Sequence, residues 1–374
     1  MVEGVAMTST IVPRLHATIA RIRPVEITWR DRAQARLDRL SKPPGSLGRL
    51  EWIAARVCAI QKTVSPRAAP RRIVVFAADH GVAVEDVSAY PSAVTAQMVG
   101  NFLRGGAAIN ALVTTMSADL CVVDVGVAGD IDTAGLAGAF VSRRLRAGTR
   151  NMTQGPAMSR DELIAALDVG LDVADSAAKD GVVVIACGDM GIGNSTAASA
   201  ITAAVAEVPP SQVTGPGTGI DSATLIRKVE VVTRALRVNR PGRDPLEILR
   251  TLGGLEIAAI AGAYLGAAAH QLAIVGDGFI ATAAALVAAQ LCPAFLDYWF
   301  AGHLSSEPGH RLQLAYLGQE PLLRLDMRLG EGTGAALAMH LLGAAVAVMN
   351  EMATFESAGV AGPLTHNATG GAHS

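Results

Sequence analysis

A chain of 374 residues, 51% of them hydrophobic, is long and apolar enough to bury a large domain plus a smaller one, which excludes a largely disordered protein. Aromatic residues make up only 4% and the formal net charge is −2, so neither the stacking platforms nor the basic footprint of nucleic-acid binding is present, and nothing draws the chain to an anionic membrane. Cys58, Cys121, Cys187 and Cys292 lie far apart, which suggests neither a zinc site nor a disulfide framework and points to reduced thiols in the cytoplasm.

Residues 1–24 place Arg14, His16, Arg21 and Arg23 among short apolar runs and lack the continuous apolar stretch of a secretory signal. Residues 27–40 have helical spacing and stop at the elbow Ser41-Lys42-Pro43-Pro44-Gly45-Ser46-Leu47-Gly48; a second helix follows to about residue 63. Lys42 reads as a solvated loop charge. Residues 73–78 form a strand that ends in Asp79-His80-Gly81, where a parallel sheet presents its ligand-facing loops. An Asp-His pair without a third ligand reads more readily as loop hydrogen bonding than as a metal site. Ser88 and Tyr90 follow in a loop, Ser92 is expected to cap the next helix, and Thr95 and Gln97 sit in its first turns. These groups fit the edge of a planar heterocycle and fit ordinary loop and cap roles equally.

Further strands are expected at 120–125 and, short, at 140–141; Ser159 with Glu162 opens a helix running to about residue 178 as a capping box. Residues 182–186 form an apolar, β-branched run suited to a central buried strand. The turn Gly188-Asp189-Met190-Gly191-Ile192-Gly193-Asn194-Ser195-Thr196 then leads into an Ala-rich helix closed by Pro209-Pro210. Unpaired N–H groups at a helix start favour an anion, with phosphate as the favoured guest and a plain tight connection as the other account. A second glycine turn, Thr214-Gly215-Pro216-Gly217-Thr218-Gly219-Ile220-Asp221, precedes a helix carrying Lys228, and the pair strengthens the phosphate reading. Neither turn is a Walker A loop or a G-x-G-x-x-G fingerprint.

Residues 255–269 read as a buried helix, 272–275 as a strand leaving through Gly276-Asp277-Gly278, and 296–300 as the last strand; 302–310 read as a polar loop and 323–329 as an alternating stretch. Gly330-Glu331-Gly332-Thr333-Gly334 precedes a closing helix to about residue 352, and 361–374 reads as a disordered tail. The apolar runs 257–269 and 335–349 are too short to span a bilayer. Glu331, flanked by glycines at a helix start, suits either a general base or an acid that only complements the helix dipole.

Taken together, the elbow at 41–48, Asp79-His80-Gly81, the turn at 188–196, Gly217-Thr218-Gly219, Asp277-Gly278-Phe279 and Leu329-Gly330-Glu331-Gly332-Thr333-Gly334-Ala335 resemble the nicotinate-nucleotide–dimethylbenzimidazole phosphoribosyltransferase family of cobalamin biosynthesis, over about residues 15–358. The resemblance implies an α/β fold: a Rossmann-like parallel sheet flanked by helices, with a small helical domain built from both chain ends. The corresponding boundaries are 1–68 and 331–360 for the small domain, 69–330 for the large domain with the active site, and 361–374 for the tail. It implies transfer of phosphoribose from nicotinate mononucleotide to 5,6-dimethylbenzimidazole by a cytoplasmic homodimer that needs no cofactor or metal.

By motif, the resemblance makes Glu331 the catalytic base and Asp189 a catalytic carboxylate that positions the ribose and stabilises its positive charge, where family members commonly carry Glu. It gives Gly191, Gly193, Asn194, Ser195, Thr196, Gly215, Gly217, Thr218, Gly219 and Lys228 to the phosphate and ribose, and Ser88, Tyr90 and Gln97 to the base. A dinucleotide-dependent oxidoreductase would share the sheet but needs an intact cofactor fingerprint; a non-catalytic nucleotide sensor would not need Glu331.

Overall fold

The computed structural model describes residues 13–133, 138–217 and 219–361, which form two compact units. The expected tail at 362–374 and Thr218 lie outside the described residues.

The first unit, residues 68–341 together with the chain up to residue 25, is built on a six-stranded, wholly parallel sheet. Its strands are β1 (Arg71–Ala78), β2 (Asp119–Gly126), β3 (Ala139–Ser142), β4 (Val184–Met190), β5 (Ala273–Gly276) and β6 (Trp299–Ala301), in the spatial order β3-β2-β1-β4-β5-β6. Ile73 to Ala78 on β1 and Val184 to Cys187 on β4 are all buried, the signature of central strands covered on both faces. The order reverses between β1 and β4, and in open α/β sheets the crevice beyond the carboxyl ends of such a pair is where ligands bind.

Several elements differ from the sequence reading. β4 does not end at residue 186 but runs to Met190, because β1 continues to pair with it through Val75 with Gly188, Phe76 with Asp189 and Ala77 with Met190. Asp189 therefore sits on a strand end and not in a turn. The last strand is confined to Trp299–Ala301, since Pro293 starts a 3-10 turn over Pro293–Asp297. The expected loop 302–310 holds the short strand His303–Leu304, paired with Leu323–Arg324, and the start of a helix, Pro308–Tyr316. A further helix, Pro245–Leu252, also begins at proline; proline at a first helical position is pre-shaped for the helix, but reads in sequence as a break. Ser92 precedes the helix Ala93–Leu103 without a side-chain cap bond, whereas Ser159 and Glu162 form the expected capping box.

Residues 13–25 belong with the sheet unit, which departs from a small domain beginning at residue 1. Arg14 pairs with Asp172 at 2.7 Å and with Asp175 at 2.9 Å, and the Tyr298 hydroxyl donates to the Arg23 carbonyl at 2.7 Å. The second unit takes residues 26–67 and the chain from 342 onward, with helices Ile27–Leu37, Arg49–Gln61 and Phe355–Ala358. Within it Lys42 is not a solvated charge: it is buried and pairs with buried Glu51 at 2.8 Å. The helix Thr333–Glu351 passes from the first unit into the second, so no boundary falls at 331. At 19 residues it is long and apolar enough to cross a membrane by length and composition, which corrects the shorter reading, yet 56% of its apolar window is buried inside the protein, as in a core helix.

Helix Leu255–Ala269 lies against helix Arg160–Lys179 so closely that a Cβ at Gly170 would overlap the Ala259 carbonyl oxygen, and one at Gly262 the Leu167 carbonyl oxygen. These glycines let two backbones touch beside the sheet. Gly170→Ala is expected to lower stability by about 1–3 kcal/mol in denaturant unfolding; an unchanged midpoint would show that the two helices separate freely.

Candidate active site

At the carboxyl end of β4, Asp189 meets the turn that carries Glu331. The Glu331 backbone N–H donates to the Asp189 carbonyl at 3.3 Å, and a Cβ at Gly188 would overlap the backbone of Glu331 and Gly332. Asp277, in the exit from β5, accepts the N–H groups of Gly332 at 3.1 Å and Ala335 at 3.0 Å, and so caps the helix Thr333–Glu351. Under these constraints Glu331 takes a left-handed backbone with φ of 61°, rare for a residue with a side chain and characteristic of sites where surrounding packing holds strain in place. Its side chain is buried, and Oε2 has no hydrogen-bond partner among the described residues.

Acidic groups surround this point. Burial pushes the Glu331 carboxyl above the usual range, opposed by the Ile109 backbone N–H and reinforced by the charge of Asp277. Asp189 is pushed up well above its ordinary value, by burial first and then by Asp277, Glu256 and Glu331; Asn194, whose Nδ2 donates to Asp189 Oδ2 at 2.9 Å, opposes the shift. Asp189 Oδ1 is left unpartnered among the described residues. The result is a pair of neighbouring carboxyls, each with an available oxygen and each more basic than an exposed acid. Such groups are better proton acceptors than exposed acids.

The loop beyond β1 braces this floor. Asp79 accepts the Thr95 hydroxyl at 2.6 Å and the Ala128 N–H at 2.8 Å, while Thr95 Oγ1 accepts the Ile192 N–H at 3.2 Å. Asp79 is therefore a brace, and among the described residues no group of three or more His, Cys, Asp or Glu could hold a metal ion. His80 pairs with buried Glu256 at 2.5 Å and packs on the glycine turn, where a Cβ at Gly191 would overlap the Ala78 carbonyl oxygen and one at Gly193 would crowd His80 Cβ at 3.0 Å.

The two glycine turns meet. Helix Asn194–Ala206 starts at Gly193, and its Ser195 Oγ accepts from Lys228 Nζ at 2.9 Å; the same Nζ donates to the Gly215 carbonyl at 3.1 Å. A Cβ at Gly217 would lie 2.9 Å from Ser195 Oγ and 3.0 Å from Lys228 Nζ. Lys228 is almost fully buried, which pulls its ammonium down to about 8, with the negative charge of Glu307 opposing. Thr196 is fully buried, with its hydroxyl unpartnered among the described residues, and Gly219 is open with φ of +95°. Ser88 sits in a local turn, where its Oγ accepts the Tyr90 N–H at 3.2 Å, and the Tyr90 and Gln97 side chains are exposed. Gln97 lies on helix Ala93–Leu103, which follows that turn.

Sequence reasoning missed Asp277 as the clamp on the Glu331 turn, Glu256 as the partner of His80, and Glu307, whose Oε1 accepts the Gly217 N–H at 2.8 Å. The Gly276-Asp277-Gly278 exit was the available signal for the first; the other two sit on helix starts with no local pattern.

A parallel sheet with carboxylates at its switch point and a lysine joining two glycine turns defines a nucleotide-handling enzyme of the phosphoribosyl-transfer class. A phosphoribosyltransferase family model matches residues 22–360. The nicotinate-nucleotide–dimethylbenzimidazole phosphoribosyltransferase of Geobacter metallireducens is 52% identical over 92% of this chain and 98% of its own length, and that of Geotalea uraniireducens 51% identical over 93% and 98%. The crystal structure of CobT from Thermus thermophilus matches with a TM-score of 0.86 at 49% identity, covering 90% of this chain and all of that one. The chain belongs to the nicotinate-nucleotide–dimethylbenzimidazole phosphoribosyltransferase family.

Asp189 gives a stability test. Its folded pKa is raised, so the native state keeps a proton that the unfolded chain has lost, and stability falls as pH rises from about 4 toward the folded value. Asp189→Asn should therefore raise the melting temperature at neutral pH while slowing turnover, with the gain vanishing below about pH 4. A variant less stable than the parent at pH 7 would show that the surrounding acids impose no penalty.

Proposed function

We propose that this enzyme transfers the phosphoribosyl group of nicotinate mononucleotide to 5,6-dimethylbenzimidazole, giving α-ribazole 5′-phosphate and nicotinate, as a cytoplasmic homodimer assembling the lower ligand of cobalamin. The observation that carries the reading is Glu331, a buried carboxyl with an unpartnered oxygen held beside Asp189 by Asp277 and Gly188.

The donor's pyridinium nitrogen leaves with the C1′–N bonding pair and is neutralised in doing so, hence no acid or Lewis acid is needed to expel it. One benzimidazole nitrogen supplies its lone pair to C1′ from the opposite face, inverting the centre from β to α. As positive charge spreads over the acceptor ring, the proton on its other nitrogen becomes strongly acidic and passes to Glu331. Asp189 lies where a carboxyl would orient ribose hydroxyls and stabilise the positive charge that develops at C1′. Ser195, Gly215, Gly217 and Lys228, with Gly191, Gly193, Asn194, Thr196, Thr218 and Gly219 around them, would hold the 5′-phosphate. Ser88, Tyr90 and Gln97 are assigned to the acceptor base.

A passive nucleotide sensor is disfavoured because strained, desolvated carboxyls destabilise a fold and serve no purpose in binding alone. An oxidoreductase is disfavoured by the absence of its fingerprint beyond β1.

Glu331→Gln keeps size and one acceptor oxygen but cannot take a proton, so kcat should fall about 10²- to 10⁴-fold with the affinity for nicotinate mononucleotide little changed. In the parent enzyme the acid limb of kcat/KM should lie above the ordinary Glu value of 4.5, with rate rising as pH rises through it. Near-normal kcat in a folded Gln variant would move the base elsewhere. Nicotinate riboside should be far poorer than nicotinate mononucleotide in kcat/KM; equal efficiency would remove the phosphate assignment.

A further inference from the structure

An anion site that contains a buried carboxylate needs a physical account. Glu307 is 5% exposed and stands among the groups assigned to the donor phosphate: Oε1 accepts the Gly217 N–H at 2.8 Å, and a Cβ at Gly215 would overlap Oε2. Oε2 itself is buried and has no hydrogen-bond partner among the described residues. Its backbone is fixed as well, with the Glu307 N–H donating to Ser305 Oγ at 3.3 Å and helix Pro308–Tyr316 starting at the next residue. A carboxylate has acceptors only, and so has a fully ionised phosphate, so the two repel unless a proton lies between them.

Resting on the phosphate reading of this site, we propose that Glu307 is a specificity residue whose Oε2 accepts a hydrogen from the donor's phosphate, so that the site takes the singly protonated phosphate and rejects anions that carry no proton. Lys228 and the turn N–H groups supply the attraction, and Glu307 supplies the discrimination. Sulfate has the size and geometry of phosphate but no proton near neutral pH. It would meet Oε2 with an unprotonated oxygen.

Lys228 faces Glu307 from helix Ser222–Asn239, and His303 and His310 lie on its own loop and the following helix; helix Asn194–Ala206 presents Ser195 to Lys228. Burial holds His310 down at about 3, with Nδ1 accepting the Ser305 N–H at 2.9 Å, so its charge does not change near neutrality. Lys228 keeps its charge below about pH 8, so the ratio of sulfate-ester to phosphate-ester inhibition measured near pH 6 isolates Glu307 from Lys228.

The test measures methyl phosphate and methyl sulfate as inhibitors competing with nicotinate mononucleotide, using the full-length enzyme and Glu307→Gln. Methyl phosphate is expected to inhibit the parent enzyme at least about tenfold better than methyl sulfate at pH 6, where a phosphate monoester is about half singly protonated. In Glu307→Gln, whose amide can donate, the ratio should collapse toward unity. Should that variant fail to fold, the parent alone still decides: the methyl phosphate inhibition constant should rise relative to that of methyl sulfate by about tenfold per pH unit once the proton-free dianion dominates. Equal inhibition by both anions in the parent overturns the role of Glu307 while leaving the phosphate site in place. Inhibition by neither anion overturns both. A Gln variant that keeps the phosphate preference but loses kcat/KM equally for nicotinate riboside and nicotinate mononucleotide assigns Oε2 to a ribose hydroxyl and also overturns the proposal.

Discussion

The site depends on how tightly the turn at 330–335 is held against the end of β4. Gly188 has no side chain, so the Glu331 and Gly332 backbone can lie on it, and Asp277 takes the two N–H groups that the start of the following helix leaves open. The glycines at 330 and 332 have positive φ of 84° and 83°, which their lack of Cβ allows, and Glu331 between them also has positive φ, which is uncommon for a residue with a side chain. Its support comes from both flanking strands: β4 through the Asp189 carbonyl and β5 through the Asp277 carboxylate. Glu331 is thus aimed by three backbone contacts rather than by its own rotamer preference.

The same packing sets the electrostatics. Asp189, Glu256, Asp277 and Glu331 come from different elements, and parallel strands ending at the switch point bring them into one buried region. Like charges in low dielectric raise one another's pKa, and the compensating donors are distributed unevenly. Asp277 has two backbone N–H groups and His303 at 3.8 Å, and Glu256 has His80. Asp189 has Asn194 alone, and Glu331 has the Ile109 N–H. Asp189 and Glu331 are both raised by burial against a single opposing donor each, and they are the two that the proposed chemistry would use.

Much of this was legible in the chain. The apolar runs of β1, β2 and β4 gave the parallel sheet, because strands buried on both faces read as unbroken hydrophobic stretches, and both glycine turns and Lys228 could be marked without coordinates. What could not be read depended on partners distant in sequence. Gly188 looks like the first residue of a turn until its pairing with Val75 on β1 is known, and Lys42 looks solvated until Glu51 is placed across from it. The helices at Pro245 and Pro308 were hidden because proline marks a first helical turn and a break with the same letter. Among the site groups, Glu256 and Glu307 were invisible for a related reason: each opens a helix, where an acid already has a sufficient local explanation in the dipole.

That ambiguity bears on how the two halves of the site are tied together. Residues 303–310 reach both: His303 lies 3.8 Å from Asp277, which clamps the Glu331 turn, while Glu307 accepts the Gly217 amide beside Lys228. The segment is braced at both ends, by the Ser305 N–H on His310 at 2.9 Å and by the Ser306 N–H on the Met327 carbonyl at 3.0 Å. A Cβ at Gly334 would overlap the His303 ring, so the imidazole and the start of the closing helix fit together only with glycine there. On the proposed function, this connector would set the distance between the Lys228 cluster and Glu331 by covalent chain and packing. The phosphate's binding energy would then serve to set C1′ against the acceptor, because binding energy from a remote group can be spent on orientation at the reacting centre.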